Sequence, residues 1–509
     1  MSVSKHVLLA GISALALITV PASARSGQSL DTGGSSLIGP YAAQLWGAHK
    51  GSTPTTCYPG TSAISNPPNP TASSSLHDAV QLWDKTSQKT VACSPATDTP
   101  ANAIDTFHYL ISNSTGGIKG FFSRDKAQLG TVPSGFVDLG NPFFGFSDAA
   151  LTNGTAGDSD IEVYNNGGTD AAFNTISFRT DNTASNVSPY MKPAARWGAL
   201  IQLPFSIDPV AVSYNASGLN IATSDSKLHL DKSAYCKIFN HIITDWQNAE
   251  LTALNNGTPL VSSSTPIQLV GRSDGSGTTS ILTRHLANVC SGVTGNKFFL
   301  STNGGADGGF KTYTNLPEGL KSYYVNSTKG IVLNGSSGGV ADAIHANAGT
   351  IGYIGADYAL PASVAVGSTP NGNPAAALLN SHTSTYVDPT AADAIAAYAT
   401  ATPPSGSARS NPENWAPFVT DPTAGYPIVG TTNIVLGTVY SADRVSALVN
   451  DGSGSDPEGF LHWYYRANNS VPNAILEPAA LGVLPSNWLQ AINDTFITNT
   501  SGLNLNIHN

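Results

Sequence analysis

Charge is scarce in this chain. Only 11% of its 509 residues are Asp, Glu, Lys or Arg, and the balance is acidic, with a net charge of −10. No basic stripe runs along it, so a nucleic-acid partner is not expected. Cysteine is scarce too: Cys57, Cys93, Cys236 and Cys290 are the full set. None is spaced C-x-x-C, which argues against a zinc site, and no metal or cofactor is expected. Past the first twenty or so residues no apolar run is long enough to span a bilayer, so no transmembrane segment is expected. Low charge does not mean disorder here. Hydrophobic residues make up 40% of the chain, and Ser, Thr, Asn and Gly fill much of the rest. That composition fits an exported protein with a polar surface, two or more domains and a large core.

The beginning of the chain agrees. Lys5 precedes an apolar run from Val7 to Val20, then Pro21-Ala22-Ser23-Ala24. A positive start, a short apolar core and an A-x-A site predict a signal peptide over 1–24, cleaved near Ala24. The mature protein is then periplasmic or secreted. No cysteine follows that site directly, so no lipid anchor is expected there. In an oxidising compartment four cysteines predict two disulfides, with three possible pairings. The sequential pairing, Cys57–Cys93 and Cys236–Cys290, is preferred. Each loop is a few tens of residues, and each bridge is worth roughly 4 kcal/mol in the chain-entropy model.

The richest stretch is Gly271-Arg272-Ser273-Asp274-Gly275-Ser276-Gly277-Thr278-Thr279. Pro266 to Val270 before it reads as a strand. Leu282, Leu286 and Val289 after it fall on one helical face. A strand, a Gly/Ser/Thr turn and a helix N-terminus make an anion trap of free N–H groups, favoured by the helix dipole. Arg272 adds a forked, charge-assisted donor. Two more units share this plan: Gly33 to Pro40, followed by Tyr41, Ala42, Leu45 and Trp46, and Phe107 to Ile111, followed by Asn113-Ser114-Thr115-Gly116-Gly117. Each alone reads as an ordinary capped helix. The strand-like Phe143 to Ser147 ends in Asp148, either an N-cap or a carboxylate where open α/β sheets bind ligands. Residues 50–105 and 152–196 read as inserted surface excursions.

These residues resemble the periplasmic phosphate-binding proteins of bacterial phosphate ABC importers, and among them the DING proteins. Arg272 to Thr279 is similar to the signature R-[SA]-[DE]-[GS]-S-G-T-[TS]. Ser147-Asp148 matches the family strand end, with Phe146 as a departure. Asn113 to Gly117 resembles G-S-S-G-G, with Asn113 and Thr115 as departures, and Gly34-Ser35-Ser36-Leu37 resembles G-A-T-[FL], with Ser36 for Thr. The DING likeness rests on Trp197 to Pro204, Arg409 to Trp415 and Gly425 to Gly430. The expected mature start, from Arg25, is not the eponymous Asp-Ile-Asn-Gly.

The resemblance implies a type 2 periplasmic-binding fold, two α/β lobes joined by two crossing segments. The crossings fall near Phe205 to Val210 and Tyr426 to Thr431. Lobe 1 is then 25–208 plus 428–509, and lobe 2 is 209–427. It also implies that Cys236 and Cys290 are joined. Phosphate is the implied ligand, held by Ser36, Leu37 and Gly277 (the last two through N–H), Ser114, Arg272, Ser276 and Thr278, with Asp274 supporting Arg272. Asp148 is the discriminating group, since an ionised carboxylate only accepts hydrogen bonds and so requires an anion that carries a proton. The implied partner is an inner-membrane ABC permease, and a monomer is expected.

Rival readings remain. Gly271-Arg272-Ser273-Asp274-Gly275 fits the nucleophile elbow G-x-S-x-G, with His285, His345, His382 and His462 as candidate bases. A secreted phosphomonoesterase using the same anion site is the main alternative. Asp31-Thr32-Gly33 fits the aspartic-protease D-T-G, but that chemistry needs a second carboxylate and no second copy exists.

Overall fold

In a computed structural model the structure describes residues 29–49, 80–84, 89–93, 106–130, 139–151, 160–166, 193–296, 331–334, 337–359, 373–453 and 458–509. The cleavage site near Ala24, Cys57 and most of the two inserts lie outside these residues.

The apolar and β-branched runs form strands: β1 Ser29–Gly34, β2 Val80–Asp84, β3 Lys89–Cys93, β4 Thr106–Ile111, β5 Gly145–Ser147, β6 Leu200–Tyr214, β7 His229–Leu230, β8 Gln268–Arg272, β9 Ile331–Asn334, β10 Thr350–Gly355, β11 Ala377–Asn380, β12 Thr385–Val387 and β13 Val429–Gly437. Ten share one sheet, ordered β3-β2-β4-β1-β5-β13-β6-β10-β8-β9, while β12-β11-β7 form a small second sheet. The helices that matter for the site are α1 Gly39–His49, α2 Ser114–Ser123, α3 Lys232–Phe239, α4 Gly277–Val289 and α5 Ser337–Ala346.

The long strand β6 is buried along its whole length and passes from one half of the molecule to the other. Its first part, to Pro209, pairs antiparallel with β13. From Val210 to Tyr214 it pairs with β10 instead. Proline cannot donate to a ladder and is confined to edges and irregularities. Here Pro209 stands at the hand-over between partners, and Pro204 stands where the β13 register shifts between Thr432 and Asn433.

Each half has its own core. Around β1, β4, β5 and the first part of β6 pack Trp46, Phe107, Phe146, Phe205, Tyr464 and Trp488. Around the second part of β6 pack Tyr214, Tyr235, Trp246, Leu282 and Tyr353, with Val340, Ile344 and Ile354 on the other face. Two features depart from the sequence reading. Residues 80–84 and 89–93 of the first insert form an antiparallel pair that extends the main sheet beside β4. Ala394, Tyr398, Trp415 and Val419, all within 209–427, belong to the first core. The aromatic rings explain the second departure: Tyr398 packs on Trp488 at 5.1 Å and Trp415 on Phe496 at 4.7 Å. The chain then returns to the second core at Tyr426 and Ile428 before β13.

Cys236 in α3 and Cys290 at the end of α4 form a disulfide across 54 residues. Replacing both with alanine removes a crosslink of about 4 kcal/mol in the chain-entropy model. The expected result is a lower melting temperature by calorimetry in oxidising buffer. A melting temperature unchanged by the double substitution would remove this bridge from the stabilising interactions.

Candidate functional site

Two close approaches build the first wall of the site. Gly34 has φ +129°, and a Cβ there would meet Phe146 O at 2.1 Å. Gly117, in the first turn of α2, would place a Cβ 2.2 Å from the same oxygen. Only glycine at both lets the end of β1, the start of α2 and β5 converge. Ser35 N–H then donates to Phe146 O at 3.0 Å, and Tyr109 OH donates to Ser35 O at 2.7 Å. Asn113 caps α2 by accepting from Gly116 N–H at 2.7 Å.

Asp148 is the centre of this wall. It is buried, and its carboxylate draws donors from separate parts of the chain. Ser35 Oγ donates to Oδ1. Thr432 Oγ1 lies 2.6 Å from Oδ1, and Ser114 Oγ donates to Oδ2 at 3.2 Å. Burial pushes the carboxyl pKa up. The hydrogen bonds of Ser35, Thr432 and Ser114 and the charge of Arg272 oppose that shift without cancelling it.

The second wall is the turn between β8 and α4. Ser276 is the N-cap, its side chain accepting from Thr279 N–H at 3.2 Å, so the helix starts at Gly277. The helix N-terminus meets the first wall directly: Gly277 N–H donates to Ser114 Oγ at 3.1 Å. Thr278 is buried in the same first turn. Arg272, at the end of β8, is forked onto Asp274, Nε to Oδ1 at 2.6 Å and Nη2 to Oδ2 at 2.7 Å. Its Nη1 donates to Ser337 Oγ at 2.9 Å. Burial works against the guanidinium charge, but Asp274 overturns this and keeps its pKa above the usual value.

The structure thus brings Ser114, Asp148 and Gly277 into direct contact and ties Arg272 to Asp274. Leu37 N–H donates to Ser35 Oγ at 3.1 Å. Ser36 is buried in that turn, but Ser35 is the serine that reaches Asp148. Which of two adjacent serines faces inward depends on the backbone at Gly34, which the sequence does not reveal. Thr432 and Ser337 were also missed. A signal existed for each: polar Thr431-Thr432-Asn433 inside an otherwise apolar strand, and the literal string Gly335-Ser336-Ser337-Gly338-Gly339.

Among the described residues the nucleophile-elbow and aspartic-protease readings find no matching geometry. Ser273 is exposed, not seated at an elbow. His285 is buried, with Nδ1 2.7 Å from Thr420 O and Nε2 3.0 Å from Tyr235 OH, and burial pulls its pKa down to about 4. His382 faces Asp421, and His462 faces Glu458. Asp31 is paired with His108 at 2.8 Å in the neighbouring strand. Among the described residues no group of three or more His, Cys, Asp or Glu could hold a metal ion.

Gly277 is the point where the walls touch. A Cβ there would meet Asp148 Cβ at 2.4 Å and Ser114 Oγ at 2.6 Å. Gly277→Ala is therefore expected to hold the lobes apart while leaving each folded. Small-angle scattering checks this: the radius of gyration should rise with the circular dichroism spectrum unchanged.

The family model described as a PBP superfamily domain matches residues 145–433. A Pseudomonas aeruginosa PAO1 protein named alkaline phosphatase L is 30% identical over 409 residues, 79% of this chain and 83% of its own. A protein named phosphate-binding protein, from an unknown prokaryotic organism, is 29% identical over 360 residues, 67% of this chain and 85% of its own. The crystal structure of a DING protein superposes with a TM-score of 0.56 at 21% identity, over 95% of this chain and 97% of that one. At that identity the likeness is one of fold: the two-lobed α/β arrangement of type 2 periplasmic binding proteins.

Proposed function

The chain belongs to the PBP superfamily, and from that premise we propose that it binds inorganic phosphate between its lobes, as the extracytoplasmic capture component of phosphate uptake. The observation that carries this reading is the meeting of Asp148, Ser114 and the N-terminus of α4 at Gly277, with Arg272 at the end of the adjoining strand. A relative is named phosphate-binding protein. The lobes are taken as 25–208 plus 428–509 and 209–427, with 391–419 packed back on the first. The partner in uptake is an ABC permease, and delivery outside the cytoplasm follows cleavage near Ala24.

Buried phosphate must have its oxygens satisfied, because an unpaired buried charge is costly. Ser36, Ser276 and Thr278 supply hydroxyls, and Ser114 turns its proton from Asp148 Oδ2 to the anion. The N–H groups of Leu37 and Gly277 exchange their serine acceptors for phosphate oxygen. Arg272, held by Asp274, supplies the cation. Asp148 accepts the proton that phosphate carries and sulfate lacks. Ligand contacts to both lobes favour the closed state.

Isothermal titration tests this. Arg272→Ala should weaken phosphate by more than tenfold, or more than about 1.4 kcal/mol. A smaller change removes Arg272 from the site.

The pH dependence has a definite sign. Above its raised pKa Asp148 is ionised and can only accept, so sulfate is refused. As pH falls through that pKa the carboxyl becomes a donor. Sulfate competition should therefore be weak at neutral pH and grow in acid, and strong displacement of phosphate by sulfate at neutral pH would sink this role for Asp148.

A second reading, a phosphomonoesterase, is favoured by the relative named alkaline phosphatase L. The crevice beside Asp148, lined by Arg284, Phe418 and Thr431 among others, holds only about 30 Å³, so the organic part of an ester would need the lobes to open. A chromogenic phosphate ester separates the readings: stoichiometric binding without turnover fits a carrier, and steady release fits the enzyme.

A further inference from the structure

Two acids share one hydroxyl behind the site. Thr432 Oγ1 stands 2.6 Å from Asp148 Oδ1 and 2.6 Å from Asp208 Oδ2. A threonine hydroxyl has one proton and donates once. At these distances the second contact needs a proton of its own, because two facing lone pairs repel. One of the two acids must supply it.

The surroundings say which. Asp148 accepts from Ser35 and Ser114 and lies in the field of Arg272. Asp208 accepts from Ser206 Oγ at 2.6 Å and from the Thr432 main chain, but the charge facing it is that of Asp148, of like sign. Asp357 is a third buried acid that feels both. Among the described residues Tyr464 faces Asp208 and donates to Phe205 O, and Tyr109 faces Asp148. Burial, then the charge of Asp148, drives Asp208 well above the usual carboxylate range. The shift of Asp148 is opposed by its donors and by Arg272.

We propose that Asp208 is a positioning residue that keeps its proton, donates it to Thr432 Oγ1 and thereby turns the Thr432 proton onto Asp148, holding Asp148 as an acceptor. Its functional consequence rests on the phosphate reading: the anion must bring its own proton because the proton between the two acids stays on Asp208. With the proton on Asp148 instead, Asp148 would donate to Thr432 and Thr432 to Asp208, and the neutral Asp148 would no longer repel a fully ionised oxyanion. The pair sits on the crossing strands. Asp208 is opposite Gly430, Ser206 is opposite Thr432, and the register shift follows immediately. The rule for which anion is admitted is therefore written into the segments that join the lobes.

Infrared difference spectra of the full chain at neutral pH, wild type minus Asp208→Asn, test the proton without any ligand. The expected difference is loss of a carboxylic-acid C=O stretch; loss of a carboxylate band instead overturns the proposal. Phosphate titration across pH gives an independent reading, and its sign decides. Thr432→Val removes a donor from Asp148, so the acidic limb of binding should move up by about one pH unit, equivalent to 1.36 kcal/mol, and Thr432→Ser should restore it. A limb that moves down or stays in place overturns the assignment, because it means that Thr432 was not donating to Asp148. If the wild type gives no heat with phosphate, the phosphate reading has failed, and the infrared result still decides where the proton lies.

Discussion

A carboxylate taken out of water must be surrounded by donors, and around Asp148 that requirement shapes the molecule. No single element could meet it. Ser35 comes from the turn after β1, Ser114 from the start of α2 and Thr432 from β13. The glycine contacts at Gly34 and Gly117 exist so that these elements can approach. Ser114 then reaches the other lobe by accepting from Gly277 N–H. The donors that keep one buried acid satisfied also hold two lobes in register.

Much of this architecture was legible in the sequence. Phe107 to Ile111, Pro266 to Val270 and the segment after Tyr426 lie on or beside strands β4, β8 and β13, because β-branched and aromatic runs bounded by turn residues leave few alternatives. The helices after Pro40, Asn113 and Ser276 followed from apolar spacing and capping residues. At the site, Asp148 after β5, and Arg272 and Asp274 at the end of β8, could be singled out because each sits in its own local strand-and-turn unit. Ser35, Thr432 and Asp208 could not, because their roles depend on which face of a turn or strand meets a residue more than a hundred positions away. A polar residue in an apolar strand signals a buried partner but does not name it.

The domain boundaries show a related limit. A boundary read from two crossing strands takes the chain between them as one body. Yet Tyr398 and Trp415 bury their rings against Trp488 and Phe496, far along the chain. Residues 391–419 carry enough apolar surface to prefer the first core, and they cross back to use it. The joint between the lobes is accordingly broader than a pair of strands, and its packing is aromatic.

The long strand β6 has one more implication. Its first part completes the sheet of one lobe and its second part completes the sheet of the other, without a break. Neither lobe is therefore a separable module. A cut on either side of Pro209 would leave each fragment with an open row of unpaired backbone groups, the kind of edge that recruits foreign strands. The two lobes share a backbone as well as a ligand site, so the chain is built to be inherited, expressed and folded as one piece.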